Sequence, residues 1–234
     1  QFKDFSLFKE VGGIIQRLED KIHVEKTNQN PIIHLDKNEQ LKGLEHLEIL
    51  YQSILKKVVL KIKYQSFKAR EASVISFHPY LLKEFNNRWF VVGKTKAERP
   101  IVTFALDRIQ EIHVDLKQPY LDEDFNGNEY YKNTIGVTVL SEKYIHNVTL
   151  KIDALNAPYV ETKPLHHTQK IIKKFDDHSI IIQLSVNLNF ELERLILGFG
   201  ESVEVLGPRM LRKRIEKKFR AAVQVYEHKP DVSR

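Results

Sequence analysis

Residues 58 to 114 read VVLKIKYQSFKAREASVISFHPYLLKEFNNRWFVVGKTKAERPIVTFALDRIQEIHV, and no other stretch constrains the fold as strongly. Four or five short runs rich in Val, Ile, Phe and Tyr are broken by polar or Gly/Pro turns at the spacing of consecutive strands. Five strands of this length predict a small β-barrel. Such a barrel fills its interior with its own side chains, so a ligand has to sit on a face or at the rim. Tyr64, Arg70, His78, Tyr80, Arg88, Trp89, Arg99 and Arg108 fall beside the predicted strand ends. Each arginine alone is ordinary solvated surface. Together with Tyr64, Ser66, His78 and Tyr80 they suit an anionic, base-bearing ligand, because guanidinium forks bind phosphate bidentately and aromatic rings stack on bases. Trp89 reads equally as barrel core or as a ligand-facing ring, and Arg88 alternates to the opposite side of the strand.

Upstream, Phe5, Phe8, Val11, Ile15, Leu18 and Ile22 fit one amphipathic helix over 2–24, weakened by Gly12-Gly13. A polar loop over 26–38 follows. A second helix is predicted over 38–57, with Leu44, Leu47, Tyr51, Ile54 and Val58 as the stripe that packs on the barrel. The expected division is a helical region 1–57, the barrel 58–116, a connector 117–143 and a C-terminal domain 144–228.

The connector reads as a solvated linker, tacked to a neighbouring surface by Tyr130-Tyr131 and Ile135-Gly136-Val137. Its segment 122–128 imitates the opening of a calcium loop, but Asn133 stands where the bidentate Glu is required. Beyond it, strands over 148–152, 168–175, 179–188 and 202–206 alternate with helices over 154–162 and 190–197 in the order β-α-β-β-α-β, which suggests a ferredoxin-like α/β sandwich. Gly198 and Gly200 end the second of these helices, and a final helix runs from Pro208 to about Tyr226. The predicted fold class is α+β: N-terminal helices, a small Sm-like or SH3-type barrel, and a ferredoxin-like C-terminal domain.

Three motifs carry a family resemblance: His78-Pro79-Tyr80-Leu81-Leu82, Asn87-Arg88-Trp89-Phe90-Val91-Val92-Gly93, and Thr103-Phe104-Ala105-Leu106-Asp107-Arg108-Ile109. The stretch resembles a WYL domain, the Sm-like barrel of many bacterial transcriptional regulators. Of the name-giving Trp-Tyr-Leu only Trp89 matches literally, and Ala105 stands where an arginine is common. Leu197-Gly198-Phe199-Gly200 and Gly207-Pro208-Arg209 are similar to the turns of the C-terminal extension in that family. The resemblance implies an effector site on the basic, aromatic face of the barrel, formed from Tyr64, Ser66, Arg70, His78, Tyr80, Arg88, Trp89, Arg99, Phe104 and Arg108. It further implies a homodimer, and DNA binding through a preceding helix-turn-helix, of which residues 1–57 show no clear sign. The chain begins at Gln1, which suggests a fragment.

A balance of 37 Lys+Arg against 31 Asp+Glu, net +6, favours anionic partners. The charge concentrates in the last helix, where Arg209, Arg212, Lys213, Arg214, Lys217, Lys218 and Arg220 face a single Glu216. That face is either solvated or tracks phosphates, with Arg209, Arg212, Lys213 and Lys217 as the candidate nucleic-acid contacts. With no cysteine, disulfides and thiolate metal sites are excluded and a reducing cytoplasm is the expected home. No apolar run approaches the roughly 18 residues of a membrane span, and no membrane partner is expected. His166-His167 are adjacent and cannot chelate as an i,i+4 pair, and no nucleophile elbow, P-loop, dinucleotide or zinc-protease motif occurs. The expected protein is no enzyme and holds neither cofactor nor metal. It senses a nucleotide or a single-stranded nucleic acid for a transcriptional regulator, the alternative being a stand-alone Sm-like module that binds RNA or single-stranded DNA.

Overall fold

The computed structural model describes residues 42–140 and 144–227, which fall within one compact unit, Leu41–Arg234. The helix expected over 2–24 and the loop over 26–38 lie outside the described residues.

Five strands, β1 (Val59–Tyr64), β2 (Ser73–Phe85), β3 (Arg88–Lys94), β4 (Val102–Ala105) and β5 (Ile109–Asp115), form an antiparallel sheet in the order β4-β3-β2-β1-β5. Asn86 and Asn87 turn β2 into β3 with φ of 50° and 59°, the left-handed region that asparagine tolerates and a two-residue hairpin needs. A 3-10 turn, Leu106–Arg108, carries β4 into β5. The core of this half gathers Leu50, Leu60, Ile62, Phe77, Val91, Leu106 and Ile109. The expected closed barrel is not found: among the described residues the sheet ends on β4 and β5, which do not pair. β4 is only four residues long and passes straight into the 3-10 turn, so its ladder runs out.

Helix α1 (Leu47–Leu55) covers this core, preceded by a 3-10 turn over Leu44–His46. It is shorter than expected, and its buried face is turned partly away from the predicted stripe. Leu47 packs on the core as expected and Tyr51 and Ile54 are half-buried, but the buried positions are Leu50 and Ser53, while Leu44 is exposed. Gly43 explains the start, because its φ of 89° and its position against the Leu106 and Asp107 backbone stop the helix there. At the other end Lys57 adopts φ 51°, so Val58 leaves the helix.

The connector is not a solvated linker. Tyr120 donates to the Pro79 carbonyl at 2.6 Å, the Leu121 N–H donates to His78 Nδ1 at 3.1 Å, and Tyr80 donates to the Leu121 carbonyl at 3.0 Å. Two of its carboxylates are engaged, Asp122 by Lys57 and Glu123 by Lys94. The short helix α2 (Gly127–Tyr131) is capped by Asn126 Oδ1, which accepts from the Asn128 and Glu129 amides. The calcium-like segment is therefore built into ion pairs and a helix cap. Farther on, Ile135 is buried in the second core and the Asn187 N–H donates to the Asn133 carbonyl at 2.8 Å.

The C-terminal half follows the predicted order of elements: β6 (His146–Ile152), α3 (Ala157–Thr162), β7 (Lys170–Lys174), β8 (Ile180–Val186), α4 (Phe190–Gly198), β9 (Val203–Gly207) and α5 (Arg209–Glu227). The strands pair in the order β7-β8-β6-β9, all antiparallel. β8 alternates strictly, with Ile180, Ile182, Leu184 and Val186 buried, so one face meets Leu192, Ile196, Leu211 and Ile215 of the helices. Asn189 caps α4 through the Leu192 N–H and donates to the Ile135 and Thr138 carbonyls, which pins the connector to this domain. The predicted stripe of α5 holds for Leu211 and Ile215 and weakens at Phe219. Ala222 and Tyr226 are exposed, because the helix outruns the sheet on which it packs. Among the described residues no helix is long and apolar enough to cross a membrane.

Gly93 tests the close approach of β3 to β2. A Cβ there would lie 2.1 Å from the His78 carbonyl oxygen, beside the register shift at Pro79–Leu81. Gly93→Ala is expected to lower unfolding free energy by about 2 kcal/mol or more, because backbone cannot yield as a side chain does. Urea denaturation followed by circular dichroism checks this, and a midpoint equal to that of the wild type contradicts it.

Candidate ligand-binding face

The loop between β1 and β2 is tied to the 3-10 turn of the first sheet. The Gln65 N–H donates to the Arg108 carbonyl at 3.1 Å, Gln65 Nε2 donates to the Arg70 carbonyl at 3.2 Å, and Gln110 Nε2 donates to Gln65 Oε1 at 2.9 Å. The Ser66 carbonyl accepts from the Ala69 N–H and tightens the bend. Shaped in this way, the loop leaves Phe67 74% exposed and sets its ring 4.1 Å from the Arg108 guanidinium carbon. That stacking holds the guanidinium in one plane. Arg108 Nε is buried without a hydrogen-bond partner.

The neighbouring Asp107 reaches Arg88 Nη2 with one carboxylate oxygen at 3.4 Å, while its other oxygen is buried and unpartnered. Tyr64 lies 4.5 Å from Phe104 between ring centroids, and Phe104 lies 5.1 Å from Phe77, so a run of rings leads from the core to this rim. Tyr64, Phe104 and Arg108 are thus brought together beside the loop that carries Ser66 and Arg70, while Arg88, which opens β3 at the other end of β2 from Tyr64, is linked to them through Asp107. Trp89 is half-buried against the first core. Arg99 lies on an exposed turn between β3 and β4. Phe67 was missed at the sequence level. It sits in a polar stretch without strand periodicity, and only the folded loop sets it under Arg108.

His78 and Tyr80 form a separate group under the connector. His78 is 1% exposed, and burial lowers its pKa, which matches its role as a neutral acceptor for Leu121. Burial, with Glu123 and Asp122 adding, pushes the Tyr80 hydroxyl up to about 12. Its ring stacks on Phe125 at 5.5 Å and meets Tyr120 at 6.0 Å. Beside them opens a cleft of about 470 Å³ whose wall holds Asp122, Glu123 and Asp124 against Lys57. Its carboxylates repel anions. These two predicted residues therefore hold the connector and do not face the Arg108 rim.

On α5 the basic run divides. Arg212 pairs with Glu204 at 2.7 Å and donates to the Val205 carbonyl. Glu193 gathers Arg214 at 3.3 Å and Lys218 at 2.7 Å, and Arg220 pairs with Glu216. Among the described residues Arg209, Lys213 and Lys217, four apart along the helix, make no ion pair, so Arg212 is the one predicted contact already occupied.

A family model described as the WYL domain matches residues 45–114, and one described as the WCX domain matches residues 144–223. Similar solved structures include proteasome accessory factor B/C (PafBC) of Arthrobacter aurescens, at 16% identity and a TM-score of 0.33, covering 82% of this chain and 28% of that one. Another is a CRISPR Cas-related protein, at 11% identity and a TM-score of 0.44, covering 79% of this chain and 51% of that one. The chain thus spans about half or less of the structures it matches. No curated protein matches.

One buried imidazole, His78, and one half-buried, His166, set a pH dependence. Burial, and secondarily His167, holds His166 at about 4, while His78 is lowered by burial alone. In both cases the unfolded chain binds the proton first, so stability is full above about pH 6.5 and falls as the pH drops toward the folded values. His78→Asn keeps an acceptor for Leu121 and is expected to flatten part of that slope. His78→Ala leaves the amide unpaired and is expected to cost about 1–3 kcal/mol at pH 7.5. Unfolding midpoints from pH 4 to 8 check both; a slope unaltered in His78→Asn contradicts the assignment.

Proposed function

The chain belongs to the WYL domain-containing proteins, its WYL domain continuing into a WCX domain, and from that premise we propose that it is the effector-sensing region of a transcriptional regulator. In this reading the first sheet is an Sm-like unit, the second domain is ferredoxin-like, and the region works as a homodimer joined to a DNA-binding domain. The effector is an anion carrying a base, a nucleotide or a short single strand. Arg108 and Arg88 take its phosphate, Arg70 adds charge from the loop, and Tyr64, Phe67 and Phe104 offer rings to the base.

The observation that carries this reading is the Arg108 guanidinium, stacked on Phe67 with Nε unpartnered and buried. A buried donor without an acceptor is costly, and a ligand oxygen that supplies one recovers that cost on binding. Coupling has a route as well. Arg108 ends the 3-10 turn whose Leu106 lies in the first core, and the connector hydrogen-bonds to both domains. An effector that binds two arrangements of these parts unequally shifts their populations, which is what regulation requires.

Titration of labelled nucleotides and oligonucleotides against the wild type and Arg108→Ala at two salt concentrations tests the reading. Affinity is expected to fall about tenfold or more in the variant, since a charge-assisted hydrogen bond contributes about 1.5–3 kcal/mol. The salt slope is expected to fall by about 0.7 for one lost single-strand phosphate contact. Equal affinities, or no salt slope in the wild type, refute it.

A further inference from the structure

We propose that the helix-free face of the second sheet binds single-stranded nucleic acid, with Phe175 as a stacking platform and Lys151, Lys170 and Lys173 as phosphate contacts. The alternation of β8 creates this face. Ile180, Ile182, Leu184 and Val186 point to the helices, so Ile181 and Gln183 point the other way. Register places Lys151 of β6 and Lys173 of β7 on either side of Ile181, and Lys170 beside Gln183. Phe175 follows Lys173 by two residues and shares its face. The Lys173 ammonium is 4.5 Å and the Lys151 ammonium 5.4 Å from the centre of its ring. Lys174, on the opposite face, is paired with Glu161.

Among the described residues the three lysines of this face, Lys151, Lys170 and Lys173, are not held in ion pairs. The nearby carboxylate that feels them is Asp177, held below the usual carboxylate range by its bonds to Ser179 first and then by Lys151. One Asp177 oxygen accepts from both the N–H and hydroxyl of Ser179, and Glu204, in register with Lys151, is paired with Arg212. A row of ammonium groups spaced across strands around one ring offers what a single strand needs: a π surface for a base and cations for the phosphates on either side. Two other occupants fit worse. A second copy meeting this face about a two-fold axis would set lysines against lysines, and an apolar partner would reach Ile181, the exposed Ile172 and the ring only by desolvating those unpaired lysines. This surface stands apart from the Arg108 rim and does not depend on it.

Fluorescence anisotropy with oligothymidylate and oligouridylate of about ten nucleotides, enough to span one such domain, tests the proposal. Phe175→Ala is expected to weaken binding about 5- to 100-fold, the loss of one stacked base. Lys151→Gln/Lys173→Gln is expected to lower the salt slope by about 1.4, two single-strand phosphate contacts. Thermal midpoints report folding. Should Phe175→Ala lower its midpoint, Phe175→Leu keeps the apolar bulk, removes the aromatic face, and is expected to show the same loss of affinity. Unchanged affinity and slope in the sheet variants, with Arg108→Ala defective, overturn this proposal and leave the Arg108 site standing. Loss in the sheet variants with Arg108→Ala unaffected does the reverse. A change of sedimentation mass in the lysine variant marks the face as a self-association surface and also overturns the proposal.

Discussion

A neutral imidazole in the middle of β2 organises the first half of this protein. His78 is sealed from solvent and accepts the Leu121 amide, which forces the connector to lie along the sheet. Tyr120 and Tyr80 complete the clamp by donating to Pro79 and Leu121. A buried amide or carbonyl without a partner costs more than a hydrogen bond gains, so the three bonds stand or fall together. From this clamp the chain runs through α2 to Ile135 and Asn189, where it joins the second core. The connector thus belongs to the packing of both domains.

Electrostatics divides the cations into those already committed and those open to a ligand. Four of the seven basic side chains on α5 are engaged, two of them by Glu193, which is itself largely buried. Exposed pairs contribute little to stability, about 0–1 kcal/mol each, and their effect here is chiefly to decide which positive charge remains unbalanced. Among the described residues, cations without an ion pair include Arg108 at the rim of the first sheet, the row Arg209, Lys213, Lys217, and the lysines around Phe175. Each surface would attract phosphate, and only the first and third set aromatic rings beside the cations.

Both sheets leave edges, and the chain guards them differently. β7 is exposed along its length and carries Lys170, Lys173 and Lys174, together with a register shift between Ile171 and Lys173. Charge and irregularity of this kind discourage pairing with another strand. At the first sheet β4 is merely short and is closed off by the 3-10 turn. The same lysines that protect β7 supply the charge beside Phe175, so edge protection and ligand attraction share side chains.

The strand runs of 58–114 and the β-α-β-β-α-β order were legible because burial on one face imposes a period of two on strands and three to four on helices, wherever the chain goes next. The motifs around Trp89 and Arg108, and the basic run of α5, could likewise be read directly. Other features depended on contacts between residues far apart in sequence: which face α1 buries, that the connector packs instead of floating, that Phe67 lies under Arg108, and that His78 and Tyr80 serve the connector. Periodicity records only that a residue is buried or exposed. The partner that buries it, and the amide that claims its lone pair, are set by the tertiary approach of segments some forty residues apart, such as His78 and Leu121.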